Sequence, residues 1–187
     1  MKWLVLIPFL LSCSHPTTLY QRYATVRVPD NSSTGSAVSI GKGLFFTATH
    51  VIDSDSFVVF NQHGKDLKPI RLFVAGDVIL FKADLDTTLP MVKFAEPTIG
   101  EAVYTLQPII NDTTITVLLF KGNVAYVSNV YVMVDRPIFP DISGSGLFNE
   151  KGELIGVASQ LYGISGQIAF GIFIKTSAFE PLVRKIK

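Results

Sequence analysis

The sequence holds a single cysteine, Cys13, so no disulfide can form within the chain. It has no surplus of either charge, with 16 Lys and Arg against 15 Asp and Glu. A nucleic-acid surface rests on a basic excess, so nucleic acid is not an expected partner. Charged residues make up only 17% of the chain and hydrophobic residues 48%, which excludes a disordered polymer and indicates a globular protein. The three histidines, His15, His50 and His63, build no metal-ligand cluster of the usual spacing. Neither a metal nor another cofactor is expected. Internal repeats and low-complexity tracts are also missing. The longest apolar run, Trp3 to Leu11, is too short to cross a bilayer as a helix.

That run follows Lys2 and leads into small residues, the layout of a secretory signal. Its end, Leu10-Leu11-Ser12-Cys13, resembles a bacterial lipoprotein signal, in which cleavage precedes a cysteine that is then lipidated. The resemblance implies a signal peptide over 1–12, a lipidated Cys13 and a tether over 13–21. The protein would then be exported and held at a membrane by its lipid anchor, in the periplasm or at the cell surface. The remainder, 22–187, has the length of one domain with a sizeable core.

From there the chain reads as β almost throughout. Twelve segments rich in Val, Ile, Phe, Tyr and Thr are expected as strands: 22–28, 36–40, 44–49, 56–60, 70–74, 77–82, 102–106, 113–120, 123–128, 130–134, 153–161 and 166–173. Gly, Pro, Asn and Asp separate them. Many short strands at regular spacing predict an all-β sandwich or barrel, and a closed barrel leaves no exposed edge. The segment TSAFEPLVRKIK is the one good helix candidate, with Ser177 able to cap it and basic residues at its far end.

Three polar positions stand out on this scaffold. His50 ends an apolar strand among the small residues Thr47, Ala48 and Thr49. Asp77 opens another apolar strand after Gly76, with Asp84 and Asp86 as competing carboxylates in a nearby polar turn. Ser143 and Ser145 share the glycine-broken stretch FPDISGSGLFNEKGELIG. Each alone is ordinary. In the order His, Asp, Ser they match one of the chain orders in which the serine triad recurs. Serine is a weak nucleophile until a base takes its proton, histidine is that base near neutral pH, and a carboxylate orients the histidine.

The same residues resemble a trypsin-like serine protease, closest to the protease domain of the HtrA/Deg family. TGSAVSI resembles the family's glycine-rich first strand, and LFFTATHVID resembles the segment that carries its general base, here His50. In DVILFKADLDTTLPMVKF the acid, the lysine five places on and the later Leu-Pro align with Asp77 as the triad acid. DRPIFPDISGSGLFNEKGELIGVAS matches the family's nucleophile region without a gap, at Asp135, Ile138, Pro140, Ser143, Gly144, Leu147, Asn149 and the run Gly152 to Gly156. This register makes Ser143 the nucleophile and leaves Ser145 in place of a glycine. IAFGIFIKTSAFEPLV resembles the closing strand and helix.

The resemblance implies two packed six-stranded β-barrels, about 22–97 and about 98–176, with a terminal helix over 177–187 and the site in the cleft between the barrels. It implies a serine endopeptidase acting on protein or peptide substrates through an acyl-enzyme. The amides of Asp141 and Ser143 would form the oxyanion hole. The strand containing Ser159, Gln160 and Leu161 would pair with substrate backbone, and Pro137 and Ala169 would lie near the specificity pocket. Two departures matter. The family usually has glycine where Asp141 stands, which leaves a non-catalytic peptide-binding relative as the alternative. The chain also stops soon after the helix, so the PDZ domain of many HtrA proteins is not expected.

Overall fold

The structure, a computed structural model, describes residues 19–28, 33–52, 56–61, 64–66, 68–110, 115–136, 138–164 and 167–186. Cys13, the expected signal segment, His15, His63 and Pro137 lie outside the described residues.

Two β units follow one another. The first is a seven-stranded sheet of β1 (Tyr23–Arg27), β2 (Thr34–Gly41), β3 (Leu44–Ala48), β4 (Val58–Asn61), β5 (Gly64–Asp66), β6 (Ile70–Ala75) and β7 (Val78–Lys82). Its strand order is β5-β4-β1-β2-β3-β7-β6. The second is a closed barrel of β8 (Ala102–Ile110), β9 (Ile115–Val127), β10 (Tyr131–Val134), β11 (Gly146–Asn149), β12 (Leu154–Ile164) and β13 (Gln167–Lys175), in the order β10-β13-β12-β11-β8-β9. The all-β fold and the second barrel match the expectation. The first unit has seven strands and leaves β5 and β6 at its two edges. On the β6 edge Ile70, Leu72 and Val74 point outward while Phe73 packs inward, the alternation of a half-buried strand.

Alternation also explains how the two units join. In β3 the neighbours Phe45 and Phe46 are both fully buried but face opposite ways. Phe45 stacks on Phe81 at 5.4 Å, inside a cluster with Val26, Phe57 and Ile79. Phe46 faces the barrel and meets Phe179 at 4.5 Å. Around Phe46 a second cluster joins Val38, Ile40 and Leu80 of the sheet to Leu106, Phe148, Leu154 and Val157 of the barrel. The barrel interior is a third cluster, built on Val103, Val132, Leu147, Ile155 and Phe173.

Two differences from the expected elements have local causes. The expected segments 113–120 and 123–128 are not separate: their described residues lie in one strand, β9 (Ile115–Val127), running through Gly122-Asn123. Gly122 is there for space rather than for a turn: a Cβ on it would sit 2.6 Å from Val134 Cγ1. At the other end, the helix α1 covers only Glu180–Val183, after a 3-10 turn at Thr176–Ala178. Ser177 falls inside that turn, and Phe179, not Ser177, is the residue at the N-cap.

Candidate active site

The site lies where β3 and the turn before β7 meet the barrel. β3 and β7 pair up to Ala48–Val78, so the residues just beyond that rung, His50 and Asp77, stay side by side. Three further bonds pin them. Thr49 N–H donates to Asp77 O at 3.2 Å, Thr49 Oγ1 to Gly76 O at 3.1 Å, and His50 N–H to Asp77 Oδ1 at 3.3 Å. His50 itself sits in the 3-10 turn Thr49–Val51, with its side chain 48% exposed and thus reachable from solvent.

His50 Nδ1 lies 3.0 Å from both Oδ1 and Oδ2 of Asp77. His50 Nε2 lies 2.9 Å from Ser143 Oγ. Carboxylate, imidazole and hydroxyl therefore form one hydrogen-bonded line. With the proton of the imidazole on Nδ1, facing the carboxylate, Nε2 is free to accept the serine proton. Asp84 and Asp86 are elsewhere. Asp84 N–H donates to Asp66 Oδ2 at 2.8 Å, and Asp86 Oδ1 accepts from Asn61 Nδ2 at 2.6 Å.

The two serines of the glycine loop part company. Ser143 faces His50. Ser145 is 2% exposed, and its hydroxyl donates to Leu106 O at 2.6 Å inside the barrel. Thr105 Oγ1 adds a contact to Ser145 Oγ at 3.4 Å. The chain can turn so tightly between them because Gly144, at φ 93°, lies against β2 and β3, and a Cβ there would stand 2.0 Å from Ser36 O.

Backbone donors around Ser143 divide in the same way. Gly144 N–H donates to Ala158 O at 2.8 Å and Ser145 N–H to Ile142 O at 2.7 Å. The amides of Asp141 and Ser143 have no acceptor among the described residues. Two such N–H groups beside a serine hydroxyl are donors of the kind that can hold a developing oxyanion. Asp141 adopts φ 66°, the left-handed backbone that glycine takes without strain and that Asp tolerates better than most residues. Its carboxylate has no ion-pair partner among the described residues, and Arg136, five positions earlier in the sequence, does not supply one. Burial raises its pKa above the ordinary carboxylate value.

The other expected residues are placed as follows. Ser159 is 5% exposed and donates its hydroxyl to Asp77 Oδ2. It is the extra residue of a β-bulge, since Ala158 pairs with Phe173 and Gln160 with the adjacent Ile172. A bulge re-aims a side chain, and here it turns Ser159 toward the sheet's carboxylate. Gln160 is exposed on β12. Leu161 pairs with Gly171, and Ala169 belongs to β13. Sequence reasoning did not find the contact of Ser159 with Asp77, nor Ser36, whose N–H and hydroxyl both reach the Ser143 loop. No local pattern marks either one.

Residues 34–157 match the family model described as "Trypsin-like peptidase domain". "Protease Do-like 2, chloroplastic" of Arabidopsis thaliana is 29% identical over 168 residues, covering 75% of this chain and 27% of that protein. A "Probable periplasmic serine endoprotease DegP-like" of Pseudomonas fulva is 32% identical over 154 residues, covering 75% of this chain and 32% of its own. The match thus spans between about a quarter and a third of the length of these curated relatives. Among solved structures, the serine endoprotease from Yersinia pestis superposes with a TM-score of 0.71 at 24% identity, over 89% of this chain and 62% of that one. Rv3671c from M. tuberculosis, in an inactive form, gives 0.73 at 14% identity, over 100% and 96%.

Proposed function

The chain belongs to the trypsin-like peptidase family, and on that premise we propose that it is a serine endopeptidase with Ser143 as nucleophile, His50 as general base and Asp77 as the residue that orients the base. The observation that carries this is the continuous line from Asp77 through His50 to Ser143, at 3.0 and 2.9 Å. In the acylation step His50 Nε2 takes the Ser143 proton as Oγ attacks the scissile carbonyl. The oxyanion is held by the amides of Asp141 and Ser143. His50 then gives the proton to the leaving amine, and water reverses the sequence on the acyl-enzyme. Asp77 holds the imidazole in the tautomer with its proton on Nδ1 and stabilises the imidazolium.

Substrates in this proposal are extended protein or peptide segments. They lie along the edge of β12 near Gln160 and Leu161, with backbone pairing supplying affinity. Pro137, six residues before Ser143, is not acidic, so an uncharged side chain before the scissile bond is preferred over Lys or Arg. Export is part of the same proposal. It is supported by the apolar start of the sequence and by the periplasmic relatives. In a membrane fractionation, Cys13→Ser is expected to move the protein into the soluble fraction.

The test of the activity is a fluorophosphonate probe with mass-spectrometric mapping of the labelled residue, alongside hydrolysis of a peptide library. Label on Ser143 that disappears with His50→Ala is the expected result. A folded wild-type chain that takes no label and cleaves no peptide, yet binds peptides, would make it a binding module instead.

A further inference from the structure

We propose that Ser36 is a positioning residue that holds the oxyanion-hole backbone of the Ser143 loop in its working conformation; this rests on the peptidase proposal above. Ser36 sits on β2, in the opposite half of the molecule from the loop. It is fully buried and uses three polar groups on the site. Its N–H donates to Ser143 O at 2.8 Å. Its hydroxyl donates to Asp141 O at 2.8 Å. Its carbonyl accepts from Thr47 Oγ1 at 2.8 Å, which ties the arrangement to β3 and so to the strand that leads into the turn carrying His50. Tyr23 Oη lies 3.4 Å from Ser36 Oγ, and the hydroxyl's single proton goes to the shorter contact with Asp141.

The two carbonyls that Ser36 grips belong to the two residues whose amides are left without an acceptor. Fixing Asp141 O fixes the peptide that follows Asp141, and fixing Ser143 O fixes the peptide that follows Ser143. The need is greatest at Asp141. A residue with a Cβ at φ 66° relaxes by returning to negative φ, and that rotation swings its N–H out of the site. Glycine has no such tendency. The Ser36 hydroxyl opposes the relaxation through a contact comparable in strength to the strain. The N–H of Ser36 is a backbone group that any residue supplies. The hydroxyl is the part that depends on the side chain.

The experiment compares wild type, Ser36→Ala and Ser36→Thr as full chains in steady-state peptide hydrolysis, with inhibition by a peptide aldehyde whose hemiacetal oxygen occupies the hole. Ser36→Ala is expected to lower kcat on the order of tenfold to a hundredfold with KM within about twofold, and to weaken the aldehyde by the same factor. Ser36→Thr, which keeps the hydroxyl, is expected to recover most of the loss. Should Ser36→Ala not fold, Ser36→Cys has nearly the same shape with a weak donor and carries the same expectation. Unchanged kcat and aldehyde affinity, or a loss that Ser36→Thr does not repair, would overturn the assignment. A wild-type chain without turnover would overturn the peptidase proposal separately. The positioning role is then read from the crystal structure of Ser36→Ala, where an Asp141 that keeps its positive φ counts against it.

Discussion

Ser143 and Ser145 are expected to respond in opposite ways to the loss of their hydroxyls. Ser143 Oγ faces His50 Nε2 at the rim of the two units. Removing it takes away the proposed nucleophile but little packing, so Ser143→Ala should lower kcat about a million-fold and leave stability within about 0.5 kcal/mol. Ser145 is 2% exposed and bridges β8 from within, donating to Leu106 O at 2.6 Å and lying 3.4 Å from Thr105 Oγ1. Ser145→Ala leaves both groups short of a partner in a dry interior, at a cost of about 1–3 kcal/mol. For a domain of this size that corresponds to a fall in Tm of roughly 2 to 12 °C. The assays are thermal unfolding by circular dichroism and fluorophosphonate labelling at a temperature where every variant is folded. Labelling retained in Ser143→Ala and lost in Ser145→Ala would refute the reasoning. So would a Ser145→Ala protein as stable as wild type, because the buried bonds would then carry no weight.

Ser159→Ala removes the hydroxyl that bonds Asp77 Oδ2, and kcat should fall on the order of tenfold as the carboxylate loses one of its fixed donors. A Tm unchanged within a few degrees would separate that effect from unfolding. Gln107 is 1% exposed in β8, and neither its Oε1 nor its Nε2 has a partner among the described residues. Gln107→Leu should therefore raise Tm by a few degrees, and a clear fall in a thermal scan would contradict this. Burial holds the Asp141 pKa above its ordinary value, so the folded state binds this proton more tightly than the unfolded state does. Its contribution to stability is full below the ordinary carboxylate pKa and is lost as pH rises through the raised one. Asp141→Asn should thus be the more stable protein at neutral pH, with the gap closing in acid. Chemical denaturation across that range measures it, and a gap that is constant with pH would sink the argument.

Much of this molecule is legible in its residues, and what is not has specific causes. The strand segments announce themselves through β-branched and aromatic runs, whereas the residues alone leave Asp77, Asp84 and Asp86 as competitors and only the family resemblance favours Asp77. The strand Gly64–Asp66 is hidden because Gly-Lys-Asp has the composition of a turn, and its pairing with Val59–Asn61 gives it extended form. The strand Gly146–Asn149 is hidden by the glycine loop it leaves, although Leu147 and Phe148 fill two different cores. Ser36 and Ser159 are still harder to find. Each is a small polar residue in an apolar strand, and its partner lies 105 or 82 residues away. Local periodicity carries no information about which distant carbonyl or carboxylate such a hydroxyl will meet.

The long-range contacts also explain why the site belongs to neither unit. His50 and Asp77 come from the sheet, while Ser143, Asp141 and Ser159 come from the barrel side of the chain. The His50–Asp77 pair is bonded within the sheet, but the bonds that complete the site cross between the units: His50 to Ser143, Ser159 to Asp77, and Ser36 to both Asp141 and Ser143. Polar bonds of this kind each contribute only about 0.5–1.5 kcal/mol net, too little to hold two units together alone. The drive comes from the apolar layer that surrounds Phe46, where Val38, Leu80, Phe148, Val157 and Phe179 leave water together. Burial of that layer is tolerant of small displacements, whereas hydrogen-bond geometry is not. The apolar contacts therefore bring the halves together, and the polar contacts at the rim select the one docking in which the hydroxyl of Ser143 meets His50 Nε2. Trimming the layer, as in Phe179→Ala, should loosen docking and depress kcat together with a stability loss of about 3–5 kcal/mol, whereas Ser36→Ala should depress kcat at a cost of about 1–3 kcal/mol. That contrast distinguishes a residue that joins the two units from one that aims them.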